Sequence, residues 1–533
     1  MSATTSGIAP TLSTEPPSLP TTFRNPVVRG VAPDPSVCRV GNDFFMATST
    51  FDFWPGIPIR HSTDLVNWTV IGHAVTRPEQ FRPGGAPGLF TLFAPTLRYH
   101  DGTFFLTSTN AAPQDPELGR AGGNVGNFIV HTQDPAGEWS DAAWVDRLAF
   151  DPSLTFADDT CYFLRRTFNI ANGVKGLGPV VQAEIDPFTG ELAAELVPIT
   201  EGQVGFCSND IEGSHLYKIG DTYYLFSAEG GTEKGHMQTC ARSSSPWGPF
   251  ESAPNNPVLT HRHLVLHPIQ RTGHAELIEA PDGSWWAMFL ATREDRIQGA
   301  QILGRESFLA PVEWRDGWPV IGNDGVVDLE MPAPQLPSLA GSVPTPPPSP
   351  WLNGWSTRQA PLRGLTIGTD DGSVELPVTT DTLDDDGQVG AAFLRQLEHR
   401  ASFHATVGTP TPGVVAGITA YTGPQNHFDL YVSVGTDRPR VTLRRCAADL
   451  VTEQHVSLPD DGEVTLTVDC DGENYSFAAQ TAAGVVPVGS GSARLLDTDF
   501  APGFGSVRFG VYACGPADGM TVRFSDAGGD NVG

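Results

Sequence analysis

The segment Asp101-Gly102-Thr103-Phe104-Phe105-Leu106 decides the fold, because a polar turn followed by two bulky residues and an apolar run predicts a β-hairpin. This pattern occurs five times along the chain, and its copies stand about 58 to 62 residues apart. A repeat of this length built from strands is typical of the blades of a β-propeller, with about four strands in each blade. The sequence therefore predicts an all-β, five-bladed β-propeller. The other four copies of the pattern contain Phe44-Phe45, Tyr162-Phe163, Tyr223-Tyr224 and Trp285-Trp286.

The remainder of the chain indicates a second domain. At 533 residues the chain is too long for one compact core. The proline-rich stretch that ends in Pro346-Pro347-Pro348-Ser349-Pro350 favours neither strands nor helices and indicates a linker. Beyond it, alternating segments such as Ala401–Val407 and His427–Val434 predict a β-sandwich. The predicted organisation is a flexible leader at 1–22, the propeller at 23–331, the linker at 332–350 and the sandwich at 351–533.

Charge and composition exclude several classes of partner. The net charge of −29 would repel the phosphates of nucleic acids and of anionic membranes, whereas a neutral sugar meets no such barrier. The acidity also has a simpler interpretation, which is solubility. No apolar stretch approaches the length of a transmembrane helix, so no membrane partner is expected.

Other features indicate the cell compartment. The seven cysteines are scattered and form no Cys-x-x-Cys pair, so neither a zinc site nor a disulfide framework is indicated. The first twenty residues lack the basic and apolar regions of a signal peptide. We therefore expect a cytoplasmic protein, and a hydrolase there would act on imported oligosaccharides.

Three acidic residues occupy equivalent positions in their repeats. Asp34 lies 10 residues before Phe44, and Asp151 and Glu212 each lie 11 residues before the bulky pair of their own copy. In a propeller the strand entering such a hairpin is the innermost one, so three carboxylates should converge on a central funnel. Like charges at close range raise one another's pKa, which lets one carboxyl act as a general acid. Each fragment alone is an ordinary turn sequence, so the hypothesis depends on the repetition.

Further candidates surround the acids. His274 lies 11 residues before Trp285 and takes the same place in the fifth copy, although a buried core histidine is the simpler interpretation. The aromatic residues Phe53 and Trp54 suit the apolar face of a sugar ring, or else belong to the core. The guanidinium of Arg305 can bind sugar hydroxyls or hold a carboxylate.

These segments together resemble glycoside hydrolase family 43, in particular its branch of β-xylosidases and α-L-arabinofuranosidases with a C-terminal sandwich. The sandwich resembles more loosely the family's appended concanavalin- or lectin-like domain, through Arg395 to His399 and Gly503 to Gly510. The motifs that carry the resemblance cover most of residues 24 to 322 and include Asn25-Pro26, Ala32-Pro33-Asp34-Pro35-Ser36, Ser49-Thr50-Phe51, Ile59-Arg60-His61-Ser62, Asp64-Leu65-Val66-Asn67-Trp68, Asp151-Pro152-Ser153-Leu154, Ile211-Glu212-Gly213, Ala228-Glu229-Gly230-Gly231-Thr232, Gly273-His274 and Leu303-Gly304-Arg305-Glu306.

The resemblance implies hydrolysis with inversion in a single displacement. Asp34 would be the general base that activates water, Glu212 the general acid, and Asp151 the residue that positions the acid and tunes its pKa. Inverting enzymes keep base and acid roughly 6.5–9.5 Å apart to admit the water. Arg305 would bind hydroxyls of the terminal sugar with His274 nearby. The sandwich would contribute Phe504, which would close one end of the pocket and so favour an exo mode.

One departure from the family affects the substrate. Phe93, in Phe93-Ala94-Pro95-Thr96, stands where many relatives carry Trp, so the pocket wall is altered. The choice between terminal β-D-xylopyranose and α-L-arabinofuranose, from xylan- or arabinoxylan-derived oligosaccharides, is therefore left open. No cofactor is required by the chemistry. The resemblance allows a structural calcium ion near His274, and assembly as a homo-oligomer is also left open.

Two alternatives compete with this interpretation. A glycosidase of the same fold acting on another furanoside, such as a fructosidase, would carry Asn-Asp-Pro-Asn-Gly and Arg-Asp-Pro motifs, and neither occurs. A non-catalytic sugar-binding propeller would be expected to have lost one of the three acids, and all three are present.

Overall fold

The computed structural model describes residues 21–81, 91–111, 126–147, 150–169, 176–200, 205–208, 210–294, 299–336, 349–368, 371–434, 438–458, 462–516 and 519–532. Most of the predicted leader and residues 337–348 of the predicted linker lie outside these ranges. Within them the regular structure is almost entirely β-strand, with 3₁₀ segments at Pro78–Gln80 and Ala493–Leu496. None of the helical segments in the described ranges has the length and hydropathy of a membrane-spanning helix.

The N-terminal part contains the strands that the hairpin repeat predicts. In chain order they are β1 Thr22–Arg24, β2 Ser36–Val40, β3 Asp43–Ala47, β4 Phe53–Trp54, β5 Gly56–Ser62, β6 Thr69–Val75, β7 Leu92–His100, β8 Thr103–Asn110, β9 Gly126–Thr132, β10 Ala143–Asp146, β11 Ser153–Ala157, β12 Thr160–Asn169, β13 Gly176–Glu184, β14 Val197–Pro198, β15 Ile211–Ile219, β16 Thr222–Glu229, β17 Met237–Ser243, β18 Glu251–Ser252, β19 Ile269–Glu279, β20 Trp285–Arg293, β21 Glu306–Arg315, β22 Trp318–Ile321 and β23 Glu330–Pro332.

These strands form successive antiparallel sheets around one axis. Among the described residues, five sheets of four strands follow one another: β2-β3-β5-β6, β7 to β10, β11 to β14, β15 to β18 and β19 to β22. The first strand of each sheet contacts the first strand of the next, and β19 contacts β2. Strand β1 pairs with β23, with Phe23 opposite Met331, so the two ends of this part meet. The prediction of an all-β propeller is confirmed at this level.

An ion pair at the axis joins the inner strands. Arg98 of β7 lies with its Nη1 2.9 Å from Oε2 of Glu276 on β19. Ser36 of β2 donates to Oε1 of Glu276 at 2.7 Å, and His215 of β15 has its Nδ1 3.3 Å from the same oxygen. Arg98 Nε also donates to the carbonyl of Leu154 on β11 at 3.0 Å. Because these residues come from all of the described four-stranded sheets, the network links their inner strands to one another.

The C-terminal part is a two-layer sandwich, as predicted. Its strands are β24 Thr357–Arg358, β25 Thr366–Ile367, β26 Val374–Pro377, β27 Ala391–Arg395, β28 Arg400–Val407, β29 Val415–Gly423, β30 Asn426–Val434, β31 Pro439–Ala447, β32 Leu450–Ser457, β33 Val464–Cys470, β34 Asn474–Thr481, β35 Gly484–Ser492, β36 Arg508–Cys514 and β37 Thr521–Val532. One sheet has the order β25-β26-β37-β28-β33-β34-β35 and the other β27-β36-β29-β30-β31-β32. Strand β28 alternates between buried and less buried residues, and its Phe403 stacks on Phe509 of β36 with ring centroids 5.8 Å apart.

The two parts are joined by strand pairing and by ion pairs. Strand β4 of the propeller pairs with β24. Glu398, from the sandwich, receives hydrogen bonds from Arg29 at 2.6 Å and from Arg293 at 2.8 Å. The sandwich is therefore fixed against the propeller, close to the segment that carries Arg305. The exact domain boundaries stay predictions.

Candidate active site

The segment that leads into each predicted hairpin has left-handed backbone at a similar position. The φ angles are 54° at Asp34, 30° at Ala94, 57° at Asp151, 52° at Gly213 and 48° at His274. For residues other than glycine this conformation costs on the order of 1–3 kcal/mol, and it is concentrated at functional sites. The pairing register shifts at three of these places, which is the mark of a β-bulge. The bulges re-aim the side chains toward the axis.

In the fourth sheet this position falls on glycine rather than on the acid. A Cβ atom at Gly213 would lie 2.6 Å from Nε2 of His274, so only glycine fits there. Glu212 reaches the cavity from the preceding residue. The predicted equivalence of the three acids therefore holds for Asp34 and Asp151 and is offset by one residue for Glu212.

The structure brings seven of the nine predicted site residues together in one cavity. The three acids share it with His274 and Arg305. The full lining is Asp34, Phe51, Phe93, Phe150, Asp151, Glu212, Thr232, His236, His274, Arg305 and Phe504.

Asp34 is buried and held in its ionised form. Its Oδ1 lies 3.3 Å from Nδ1 of His274 and 3.9 Å from Nη1 of Arg305, and Ser49 donates to its Oδ2 at 2.5 Å. Burial alone would raise the pKa of Asp34, but the hydrogen bond with His274 and the charge of Arg305 hold it well below its usual value. Burial likewise opposes the charged form of His274, yet its contact with Asp34 raises the His274 pKa to about 9.

Glu212 is held in the opposite state. Burial and the negative charge of Asp151 raise the pKa of Glu212 to about 7, although the guanidinium of Arg166 opposes the shift. Arg166 donates from Nη1 to Oε2 of Glu212, and its Nη2 lies 3.8 Å from Oδ1 of Asp210. The pKa of Asp151 is itself raised by burial, against the pull of His274. The cavity thus keeps one carboxylate ionised and a second one protonated for part of the time near neutral pH.

Phenylalanine rings form the apolar wall of the cavity. The centroid of Phe93 lies 5.5 Å from that of Phe51, 5.6 Å from that of Phe504 and 6.3 Å from that of Phe150. The Arg305 guanidinium lies 5.3 Å from the centroid of Phe504 and 5.6 Å from that of Phe51. Such rings suit the apolar face of a sugar, while Arg305 offers hydrogen bonds to its hydroxyls.

The structure corrects the predicted roles of Phe53 and Trp54. Both are buried, and both belong to β4, which pairs with β24 of the sandwich, Phe53 opposite Arg358. The ring of Phe53 packs edge-on against Phe393 at 5.8 Å, and Trp54 belongs to a core cluster of the propeller. Pairing with the sandwich turns this dipeptide away from the cavity. Phe51, two residues earlier, takes the place predicted for them.

Four residues of the cavity were missed by the sequence analysis. Phe51 and Thr232 stand inside motifs that the sequence analysis had singled out, and Phe150 directly precedes one, so closeness to those motifs was a usable signal. His236 had none. Burial lowers the pKa of His236 to about 3, so the ring is neutral. Its Nδ1 lies 3.0 Å from the carbonyl of Arg271, which can only accept, so Nε2 is left as an acceptor.

Glu229, from a motif that the sequence also singled out, does not line the cavity. Its carboxylate accepts hydrogen bonds from the backbone N–H groups of Phe206 at 2.7 Å, Cys207 at 2.9 Å and Ser208 at 2.8 Å. It therefore holds in place the segment that precedes Asp210 and Glu212.

The predicted calcium ion near His274 stays a prediction. Calcium takes six to eight oxygen ligands, about 2.3–2.6 Å away. The described neighbours of His274 include Asp34, the ring of His215 with its centroid 5.8 Å away, and Gly213. This donor set does not fit a calcium site built from side chains, and no catalytic step is derived through a metal.

An ionised carboxylate and a protonated carboxyl group in one apolar-walled pocket are the acid–base pair of a glycosidase. Comparison with known families agrees with this class. Residues 23–319 match the glycosyl hydrolases family 43, and residues 351–525 match the beta xylosidase C-terminal concanavalin A-like domain. The chain belongs to glycosyl hydrolase family 43, a family of inverting glycosidases that act on xylan-derived sugars.

Individual relatives extend over nearly the whole chain. A non-reducing end alpha-L-arabinofuranosidase of Bacteroides ovatus is 37% identical over 523 residues, which cover 94% of this chain and 93% of the relative. A solved structure from the same species, titled as a protein of a xyloglucan locus, is 35% identical with a TM-score of 0.83, covering 94% of this chain and 98% of that one. The structure of a xylan beta-1,4-xylosidase from Bacillus halodurans is 27% identical with a TM-score of 0.84, covering 95% and 99%.

Proposed function

We propose that this chain is an exo-acting pentosidase that releases terminal α-L-arabinofuranose or β-D-xylopyranose from xylan- or arabinoxylan-derived oligosaccharides. The observation that carries the proposal is the pair of opposed carboxyl states in one cavity. Asp34 has a pKa well below its usual value, and Glu212 has one raised to about 7. An inverting displacement needs one group of each kind.

The proposed roles follow from these states. Asp34 accepts a proton from a water molecule as the water oxygen attacks the anomeric carbon. Glu212 gives its proton to the oxygen of the departing group, so the glycosidic bond breaks as the new bond forms on the opposite face. The step leaves Asp34 protonated and Glu212 ionised, and exchange with solvent restores both.

Asp151 acts in this proposal as a positioning residue. Its Oδ2 accepts a hydrogen bond from the backbone N–H of Gly213, the residue after Glu212, at 3.1 Å. Its charge raises the pKa of Glu212, which keeps the proton available near neutral pH. Arg166 opposes that shift and orients the Glu212 carboxyl by its hydrogen bond.

An exo mode is supported by the contribution of the sandwich to the cavity. Phe504 lies in the sandwich and packs against Phe51 with ring centroids 5.7 Å apart. The same sandwich loop carries Asp499, whose Oδ2 lies 2.5 Å from Nη2 of Arg271. A wall built from the second domain leaves room for a chain end rather than for a continuous polymer.

The names of the relatives narrow the proposed terminal sugar to two pentoses. The Bacteroides ovatus relative is named as an alpha-L-arabinofuranosidase, and the Bacillus halodurans structure is named as a xylan beta-1,4-xylosidase. Both sugars present similar hydroxyl groups, and the Phe93 wall is apolar, so we propose that one pocket accepts both.

The proposal includes the architecture at its finer level, a five-bladed propeller followed by the sandwich. It is supported by the five sheets of four strands among the described residues and by the contacts that join their first strands. The domain limits at 331 and 351, a cytoplasmic location and the oligomeric state stay predictions.

Two measurements on the full chain test the function. Initial rates on nitrophenyl α-L-arabinofuranoside and nitrophenyl β-D-xylopyranoside should both be measurable, and both should fall by about 10²–10⁴-fold in Asp34→Ala. A proton NMR time course should show the inverted anomer first. Release of the retained anomer would overturn the inverting roles, and activity on neither pentoside would overturn the substrate class.

A further inference from the structure

A second cavity, separate from the catalytic one, lies between the propeller and the sandwich. Its charged lining residues are Arg60 of β5, Arg395 of β27 and Arg508 of β36, together with the titratable His73 of β6. No Asp or Glu lines it among the residues that the structure describes. Three guanidinium groups in an acidic protein therefore face one space without a counter-charge.

Within the described ranges, the three arginines are paired only with neutral oxygens. Arg60 Nη1 donates to Thr48 Oγ1 at 2.9 Å, and Arg395 Nη1 donates to the carbonyl of Val31 at 3.2 Å. Arg508 Nη1 reaches Ser356 Oγ at 3.4 Å.

The burial of two of these arginines makes their unpaired charge costly. Arg60 is 2% exposed and Arg508 is 4% exposed. Nε of Arg508 is buried and has no hydrogen-bond partner in the described structure. Removing a charge from water without a compensating partner is strongly unfavourable, so the cavity is incomplete as a purely protein environment.

Strand pairing forces two of these charges together. Arg395 stands directly opposite Arg508 in the β27–β36 ladder. Like charges at such positions destabilise a sheet. Burial lowers the pKa of Arg60 to about 9 and that of Arg508 well below its usual value, and in both cases the charge of Arg395 adds to the shift. A bound anion would remove this repulsion.

The shape of the site favours an oxyanion. The Arg508 guanidinium lies 3.6 Å from the ring centroid of Phe53, which holds it in place, and Trp351 and Trp355 complete the wall. Arginine forks match the paired oxygens of phosphate, sulfate and carboxylate groups. Aromatic walls also suit a sugar that carries a carboxylate.

We propose that this interdomain cavity binds a small oxyanion, held by Arg60, Arg395 and Arg508, which joins the sandwich to the propeller. Residues from both parts line the cavity, so the anion neutralises charges on each side of the contact. Ser49 also lines it and donates to Asp34 in the catalytic cavity, so an occupied site steadies a segment that supports the proposed base.

The test is the melting temperature of the full chain in Tris chloride at constant ionic strength, with phosphate, sulfate or glucuronate added in separate titrations. A ligand that binds only the folded state should raise Tm continuously, roughly with the logarithm of its concentration above Kd, and by at least about 3 °C at 100 times Kd. Calorimetric titration of the wild type should give a matching saturable heat. A response to phosphate and sulfate alone identifies an inorganic ligand, and one to glucuronate alone identifies a sugar carboxylate.

Variant Arg395→Gln keeps size and hydrogen bonding but removes one charge of the opposed pair. In Tris chloride its Tm should equal or exceed that of the wild type, because the repulsion is relieved, and the oxyanion response should be lost. The matched control is Arg242→Gln, whose guanidinium also covers an aromatic ring, that of Trp318 at 3.9 Å, in a different cavity. It should retain the response. The proposal is overturned if the wild type shows no saturable heat, or if Arg395→Gln responds like the wild type.

Discussion

The backbone N–H of Gly213 donates to Oδ2 of Asp151 at 3.1 Å, although the two residues come from different sheets. Both have left-handed backbone, with φ of 52° and 57°. Because Glu212 precedes Gly213 directly, this bond ties the position of one acid to the carboxylate of another. The same proximity raises the pKa of Glu212, so one contact serves both geometry and proton affinity.

The alkaline limb of the pH profile of kcat/KM should reflect the ionisation of Glu212. Activity needs the protonated acid, so kcat/KM should fall as pH rises through about 7. Asp151→Asn removes a negative neighbour, which lowers the pKa of Glu212 and should move the limb down by about one pH unit. Arg166→Gln removes a positive neighbour and should move it up. Profiles that shift in the same direction for both variants would contradict this account.

Asp34→Ala should lower kcat by about 10²–10⁴-fold, the usual contribution of a general base. Asp101→Ala is the matched control, because Asp101 also has positive φ, 45°, but lies exposed at a hairpin tip. The two variants should show similar Tm values, and only Asp34→Ala should lose turnover. Near-normal rates for Asp34→Ala on an aryl pentoside would rule out its role as base.

Glu212→Ala should affect substrates unequally. A substrate with an activated leaving group needs little protonation, so it should lose much less rate than one with a poor leaving group. Rates on a series of aryl pentosides of different phenol pKa measure this dependence. Equal losses across the series would show that Glu212 is not the proton donor.

The sandwich should contribute to substrate binding through Phe504. Phe504→Ala should raise KM by about 2- to 13-fold, since aromatic contacts of this kind are worth roughly 0.5–1.5 kcal/mol beyond area burial. Phe500→Ala is the control, because Phe500 lies nearby, is 52% exposed against 44% for Phe504, and does not line the cavity. Equal KM values for the two variants would show that Phe504 of the sandwich does not contribute to substrate binding.

The axial ion pair should matter for stability rather than for chemistry. Arg98→Leu leaves the fully buried carboxylate of Glu276 without its cation, and loss of one partner of a buried pair costs about 3–5 kcal/mol. Urea unfolding should show that loss. Arg315→Leu, in an exposed pair with Glu313, should leave the midpoint nearly unchanged. A similar midpoint for both variants would contradict the central role of the network.

Much of the site was predictable because several of its residues occupy equivalent positions in the hairpin repeat. The interval between hairpins placed Asp34, Asp151 and His274 in equivalent positions, and each shares the left-handed backbone that turns it inward. Arg305 and Phe504 followed from resemblance, and both line the cavity. The assignment of Phe53 and Trp54 failed because a two-residue strand can pair with any nearby segment, and the segment that it meets, Thr357–Arg358, comes from the C-terminal part of the chain.

The order of the strands, the placing of the acids in three of the five repeats and the sign of the net charge were determined by the sequence alone, since they depend on local pattern and composition. Only the tertiary structure decided which side chains from distant segments meet, such as Arg166 with Glu212, His236 with the pocket, and Arg395 with Arg508. Those contacts depend on bulges, strand register and the packing of two domains. No short stretch of chain encodes such relations.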